Sequence, residues 1–255
     1  MNGTVFYLAG STPAIACAAA KLAQNGITLV HSPGPDVTHL LLPVPSFDSD
    51  GHIQGAGSLW HLLSDLPKEI WVIGGNLQHP ALADYRKIDL LQDPTYVAGN
   101  AAITAECALR LSGTYLKTVF RDCPVLVIGW GRIGKCLARL LKNLDARVTV
   151  SARKESDLAV LRALGYDAVN TRDIGQHLQS YRLVFNTVPF PIITKQEAEG
   201  LLPECVRIDL ASRKGIEGDG VIWARGLPAK YASESSGELI ADTILRSLGE
   251  RRLPQ

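Results

Sequence analysis

Residues 125–134 read Val-Leu-Val-Ile-Gly-Trp-Gly-Arg-Ile-Gly, an apolar, β-branched run that enters a Gly-x-Gly-x-x-Gly turn. Strand, glycine turn and helix in that order form the opening βα unit of a dinucleotide-binding domain, and no other feature of the chain constrains its fold as tightly. Gly129 permits the tight turn after the strand, Gly131 lets the backbone approach a pyrophosphate, and Gly134 lets the next helix pack closely on the sheet. Residues 135–143 continue with a helical pattern. The phosphates are therefore expected on that helix's N-terminus, with Arg132 and Ile133 in its first turn. The competing reading is a glycine-rich βα turn that binds nothing.

The next strand, expected over 147–150, ends in Ser151-Ala152-Arg153-Lys154. An Asp or Glu at such a strand end accepts hydrogen bonds from the ribose hydroxyls and repels a 2′-phosphate. A hydroxyl followed by two cations does the opposite, and a guanidinium both forks onto phosphate and stacks on adenine. Ser151, Arg153 and Lys154 thus predict NADP(H) over NAD(H), with a solvated basic loop as the alternative. Glu155 and Asp157 follow the cations and open the next helix, where acids favour the dipole.

Around this unit the pattern is α/β throughout, with two domains expected. A first, smaller, flavodoxin-like α/β domain spans 1–99, with strands at 5–9, 27–30, 40–44 and 70–73 and helices at 13–25 and 58–66. A long helix over 100–120 joins it to a Rossmann domain at 121–232, a doubly wound parallel sheet with further strands at 168–169, 183–186 and 206–209. A last helix within 233–255 is expected to pack back across the domain boundary.

Composition closes off several functions. With 26 Lys plus Arg against 25 Asp plus Glu, the formal charge is +1, and nothing recommends nucleic acid. Cys17, Cys107, Cys123, Cys136 and Cys205 are scattered, without a Cys-x-x-Cys pair, and read as buried or incidental thiols of a reducing cytosol. The first residues lack a basic n-region. No apolar run approaches the ~20 residues of a membrane span, so a soluble, cytoplasmic protein is expected. The six histidines, His31, His39, His52, His61, His79 and His177, read as surface or loop residues and show no metal-ligand spacing; no metal is expected.

The second half resembles the nucleotide domain of the D-isomer-specific 2-hydroxyacid dehydrogenases, and more closely the dipicolinate synthase A family. The resemblance rests on the glycine turn, Ser-Ala-Arg-Lys at 151–154, Asn186-Thr187-Val188-Pro189, Asp209-Leu210-Ala211-Ser212-Arg213, and Gly226-Leu227-Pro228-Ala229-Lys230 followed by Ser236-Gly237. Residues 100–106, Asn-Ala-Ala-Ile-Thr-Ala-Glu, resemble the family's Asn-x-x-Pro-Thr-x-Glu-Gly, with Ile103 and Cys107 at the Pro and Gly positions. The first domain matches only in outline. The resemblance implies an NADP-dependent oxidoreductase step on a cyclic dihydrodipicolinate-type dicarboxylate, in a sporulation setting, with a second, flavoprotein subunit. Self-association into a homo-oligomer is also expected.

Hydride chemistry needs an oriented nicotinamide, a cation for the substrate carboxylate and a group that handles the proton. Arg213, just past a strand end on the ligand-binding edge, matches the dehydrogenases' Ser-Arg-Gly arginine, with Ser212 beside it; a structural ion pair is the alternative. Those enzymes use a histidine near the region matching 226–237, where this chain has none. A substrate prone to aromatise asks less of its base, and Lys230 or Glu106 suits that role. Asn100 and Thr104 are expected to contact substrate in an interdomain cleft, though such residues also serve as helix caps. Asn186, Thr187 and Pro189 are expected along the nicotinamide ribose. The rival function is a catalytically silent NADP-binding sensor or scaffold.

Overall fold

The structure, a computed structural model, describes residues 3–48, 50–53 and 58–250. The chain forms two compact units, residues 1–100 with 228–255, and residues 101–227. The return of the last segment makes the first unit about as large as the second.

The first unit contains β1 (Val5–Leu8), α1 (Pro13–Gln24), β2 (Thr28–Val30), β3 (His39–Leu41), α2 (Leu59–Ser64), β4 (Trp71–Gly74) and β5 (Arg86–Asp89). Its sheet runs β2-β1-β3-β4-β5 with every pair parallel, the flavodoxin-like order. Short apolar strands such as His39–Leu41 are buried outright, as a sheet covered on both faces requires. β5 carries little periodic signal because only Ile88 of its Arg-Lys-Ile-Asp is buried. His39 departs from the surface reading: it is buried in β3, stacked on Phe6 at 4.6 Å between ring centroids.

α1 starts at Pro13 behind Thr12, whose Oγ1 accepts the Ile15 N–H at 3.3 Å. Next comes α3 (Pro94–Tyr115). Asp93 caps it, Oδ1 accepting the Tyr96 N–H at 2.8 Å. Its Oδ2 accepts from Arg246 Nη2 at 2.9 Å. Burial works to raise the Asp93 carboxyl, but the Tyr96 N–H and the Arg246 guanidinium together outweigh it and hold it below the ordinary range. The helix thus begins before the expected 100 and stops before 120. Asn100, Thr104 and Glu106 lie inside it, so neither a capping role for Asn100 nor a first-turn dipole role for Glu106 applies.

The second unit contains β6 (Pro124–Ile128), α4 (Arg132–Asn143), β7 (Arg147–Ala152), α5 (Glu155–Ala163), β8 (Asp167–Asn170), β9 (Leu183–Asn186), α6 (Lys195–Ala198), β10 (Val206–Asp209) and β11 (Val221–Trp223). The order β11-β10-β9-β6-β7-β8, all parallel, is the doubly wound arrangement, with its switch point between β6 and β9. Leu126, Ile128 and Val184 fill its core with Ile174, Leu178 and Ile193. Register places Ser151, Ile128, Asn186, Asp209 and Trp223 in one row across five adjacent strands. Side chains in such a row share a face.

After β11, α7 (Leu227–Tyr231) leads into α8 (Ser233–Glu250), which belongs to the first unit and lies along α1. A Cβ at Gly237 would press on the Ala14 carbonyl at 2.6 Å and the Ala18 nitrogen at 2.8 Å, so the contact depends on small residues of α1 and a glycine in α8. Residues 251–255 of the expected terminal helix lie outside the described residues. No helix among the described residues is long and apolar enough to cross a membrane.

Asp93→Ala removes a helix cap and an ion-pair partner together, and is expected to cost about 1–2 kcal/mol of stability at pH 7, read by urea denaturation. Asp93→Asn keeps the cap. Because the folded carboxyl is held low, wild type's advantage over Asp93→Asn is fully present above the unfolded-state pKa, about 3.9, and disappears as pH falls through the lower folded value.

Candidate functional site

A cavity of about 310 Å³ opens at the C-terminal edge of the second sheet. Three loops line it: Gly129-Trp130-Gly131 after β6, Ala152-Arg153-Lys154 at the end of β7, and Thr187-Val188-Pro189 after β9. Asp157, Thr171 and Ile192 complete the wall. It lies beside the switch point, where doubly wound sheets bind ligands.

Each glycine of the turn has a separate role. Gly129 adopts φ +103°, and a Cβ there would meet Thr187 Oγ1 at 2.6 Å and Val188 Cγ2 at 2.7 Å. A Cβ at Gly134 would fall on the Gly129 carbonyl oxygen, so α4 can approach the turn only with glycine at that position. Around a Cβ at Gly131 there is nothing within 4 Å. The structure itself therefore makes no demand for glycine at 131, which is the position where a ligand would make one. Gly131 is also the N-cap of α4 and offers no side-chain cap, which leaves first-turn N–H groups at Arg132 and Ile133 for an anion. Together the open Gly131, the uncapped helix start and the adjoining Arg153 and Lys154 fit the phosphates of a nicotinamide dinucleotide.

Two expected cofactor residues leave the set. β7 continues through Ala152, so Ser151 lies inside the strand, fully buried, and its Oγ accepts from Thr171 Oγ1 at 3.1 Å. Asn186 is equally buried; its Nδ2 donates to the Val188 carbonyl and to Asp209 Oδ1, both at 3.0 Å, and its Oδ1 accepts the Val188 N–H. Both residues belong to the register row, and the cavity is lined from the positions one step on, at 152 and 187. A single step along a strand reverses the face. Thr187 lines the cavity while its hydroxyl donates to the Ile128 carbonyl at 2.8 Å. Trp130, Ala152 and Val188 line the cavity from inside the quoted motifs, where the sequence offers them as neighbours of the expected residues, whereas Asp157, Thr171 and Ile192 line it without a ligand signal in the sequence.

Ser212 and Arg213 are exposed in the loop after β10, outside the cavity lining. Among the described residues Arg213 forms no ion pair. Its neighbour Lys214 lies over the Trp223 ring at 5.5 Å, with Arg225 over the same ring at 5.3 Å. On α3, Glu106 is exposed and Thr104 buried, with Asn100 a turn before Thr104 on the same face. Lys230 belongs to the first unit and is exposed, its ammonium over the Tyr231 ring at 5.3 Å. All five cysteines are free; burial pushes the Cys205 thiol up to about 12 and raises Cys107 and Cys123, which keeps these three protonated at neutral pH. Asp48, Asp50 and His52, all exposed, bring ligand atoms within 4.8 Å of one another, a grouping that the spacing of the histidines did not single out; Asp48 Oδ1 accepts the Asp50 and His52 N–H groups.

Two parallel sheets, one in flavodoxin-like and one in Rossmann order, with a glycine turn at the second's switch point, define the two-domain dehydrogenase class of fold. Within that class the chain is similar to the A-type subunit of dipicolinate synthase from Bacillus subtilis (strain 168), 27% identical over 178 residues, covering 67% of this chain and 60% of that protein. The solved structure of the corresponding dipicolinate synthase protein from Bacillus halodurans superposes with a TM-score of 0.86 at 20% identity, covering 99% of both chains. D-lactate dehydrogenase from Escherichia coli shares the fold at a TM-score of 0.64 and 11% identity, covering 98% of both chains. No protein-family model matches the chain.

Gly131→Ala is expected to leave stability within about 0.5 kcal/mol of wild type while weakening dinucleotide binding. Gly134→Ala, a change that ordinarily favours a helix by about 1 kcal/mol, is expected to destabilise instead. Thermal unfolding paired with calorimetric titration separates the two.

Proposed function

We propose that this chain is an NADP(H)-dependent oxidoreductase of the dipicolinate synthase A kind, acting on a cyclic dihydrodipicolinate-type dicarboxylate. The observation that carries the reading is one cavity bounded by both the glycine turn and the Arg153-Lys154 pair. Gly131 and the first-turn N–H groups of α4 hold the pyrophosphate, and Arg153 and Lys154 hold the 2′-phosphate. Thr187 and Pro189 wall the far end. A nicotinamide bound there exchanges a hydride with the substrate ring. Arg213 takes a substrate carboxylate through its forked guanidinium, with Ser212 and Thr104 as further polar contacts. The proton falls to Glu106, and a ring driven by aromatisation asks little of it.

The name of the similar protein marks it as one subunit of a larger enzyme. A flavoprotein partner, self-association and a cytoplasmic location are part of the proposal for this chain. One observation favours the second reading, a silent NADP-binding sensor or scaffold: residues 226–237 contain no histidine.

Calorimetric titration with NADPH and NADH tests the cofactor. Tight NADPH and weak NADH are expected, and Arg153→Ala should cost NADPH about 1–3 kcal/mol, the value of a hydrogen bond to a charged group, while sparing NADH. Equal losses for both cofactors would remove the 2′-phosphate assignment. Arg213→Ala should abolish turnover of dihydrodipicolinate-type substrates at unchanged NADPH affinity. Retained turnover would eliminate Arg213 as the carboxylate contact, and absence of turnover in wild type with any such substrate or flavoprotein would favour the sensor.

A further inference from the structure

Asp209 has no accessible surface, yet its carboxylate receives four N–H groups. Oδ1 accepts from Asn186 Nδ2 and Ala211 N, each at 3.0 Å. Oδ2 accepts from Gly215 N at 2.7 Å and Ile216 N at 3.0 Å. Both ends of the loop that follows β10 are thereby tied to one buried side chain. Trp223 adds a third tie, Nε1 donating to the Ala211 carbonyl at 3.0 Å. Between the ties only Ser212, Arg213 and Lys214 are exposed.

The same carboxylate is joined to the cavity. Asn186, its in-register neighbour on β9, clasps Val188 through both of its side-chain polar atoms. The Arg213 loop closes against that segment: a Cβ at Gly215 would meet the Phe190 carbonyl at 2.5 Å and the Val188 carbonyl at 2.9 Å. A buried ion kept only for stability would be replaceable by a packed apolar group. An acceptor serving three backbone N–H groups of one short loop is not, because each N–H would be left without a partner.

We propose that Asp209 is a positioning residue: through Asn186 and the 211–216 loop it holds Arg213 in a fixed place relative to the 187–189 wall of the cofactor cavity. The proposal rests on the reading of Arg213 as the carboxylate contact, and its experiment separates the two. The variants are Asp209→Asn, which replaces an acceptor oxygen with a donor at unchanged shape, and Arg213→Ala. Hydrogen exchange of the Ala211, Gly215 and Ile216 amides is measured together with binding of dipicolinate to the NADP-saturated protein. Asp209→Asn is expected to speed exchange of these amides at least tenfold, leave NADP affinity within twofold, and weaken dipicolinate as much as Arg213→Ala does. The double variant should be no weaker than Arg213→Ala alone, whereas a general structural defect would add to it. Arg213→Ala should leave the exchange unchanged.

Unchanged exchange in Asp209→Asn, or wild-type dipicolinate affinity there while Arg213→Ala binds poorly, would overturn the positioning role. Faster exchange with dipicolinate indifferent to both substitutions would overturn Arg213 as the carboxylate contact and leave the loop's anchoring intact. Should Asp209→Asn fail to fold, Trp223→Phe removes the donor to the Ala211 carbonyl while keeping an aromatic face under Lys214 and Arg225; it should speed Ala211-loop exchange and weaken dipicolinate in the same non-additive way, and wild-type behaviour on both would refute the proposal.

Discussion

The second sheet depends on the register of its strand ends. Ser151, Ile128, Asn186, Asp209 and Trp223 occupy one row, at which four of the five strands end while β7 runs one residue further. Because side chains alternate, that row looks to one face and the residues one step on look to the other. Polar members of the row are internal fasteners: Ser151 to Thr171, Asn186 to Val188 and Asp209, Asp209 to its loop. The following residues, Gly129, Ala152 and Thr187, are small or have their hydroxyl engaged, and they leave the space that becomes the cavity. A tight glycine turn is possible there because Thr187 supplies the shape against which Gly129 and Gly134 close.

This arrangement explains which parts of the molecule are legible in its sequence. Element types and sheet orders follow from runs such as 125–128 and 183–186, apolar because both faces are covered, and from the helices between them. The glycine turn is legible because its three residues answer to local sterics. Strand ends are not: β7 continues through Ser151 and Ala152, which carry no hydrophobic signal but pair with β8. That extension is enough to turn Ser151 from ligand contact to buried fastener. Asn186 misleads for a related reason. A polar residue at a strand end looks like a site until its partner, more than twenty positions away at Asp209, is known. The start of α3 is hidden because Asp93 caps it in concert with Arg246, a residue from the far end of the chain.

The first unit reaches stability by a different device. Its sheet is short-stranded, and α1 covers one face with alanines that bury little area each. The missing area is recovered by α8: Ile240, Ala241 and Ile244 join the cluster that contains Phe6, Ile15, Leu22 and Leu41. Close approach of the two helices requires Gly237 against Ala14 and Ala18, which is why small residues are found on both sides of one contact. The chain's last helix is therefore part of the first core.

In the proposed NADP(H) reading, cofactor selectivity at the cavity rests on geometry more than on net charge. Arg153 and Lys154 are exposed, where charge pairs are worth little and salt screens them. Asp157 on the same wall subtracts from their field. A simple count of charges would therefore give only a shallow preference for a 2′-phosphate. In that reading, what separates a phosphate ester from a hydroxyl is the guanidinium fork of Arg153, able to make two parallel bonds to one phosphate and none of equal quality to a ribose hydroxyl. Lys154, in the same reading, adds a point charge that strengthens binding without directing it. On this argument Arg153→Lys keeps the cavity's charge yet loses most of the discrimination, and Lys154→Ala lowers affinity while leaving the ratio between the two cofactors near its original value.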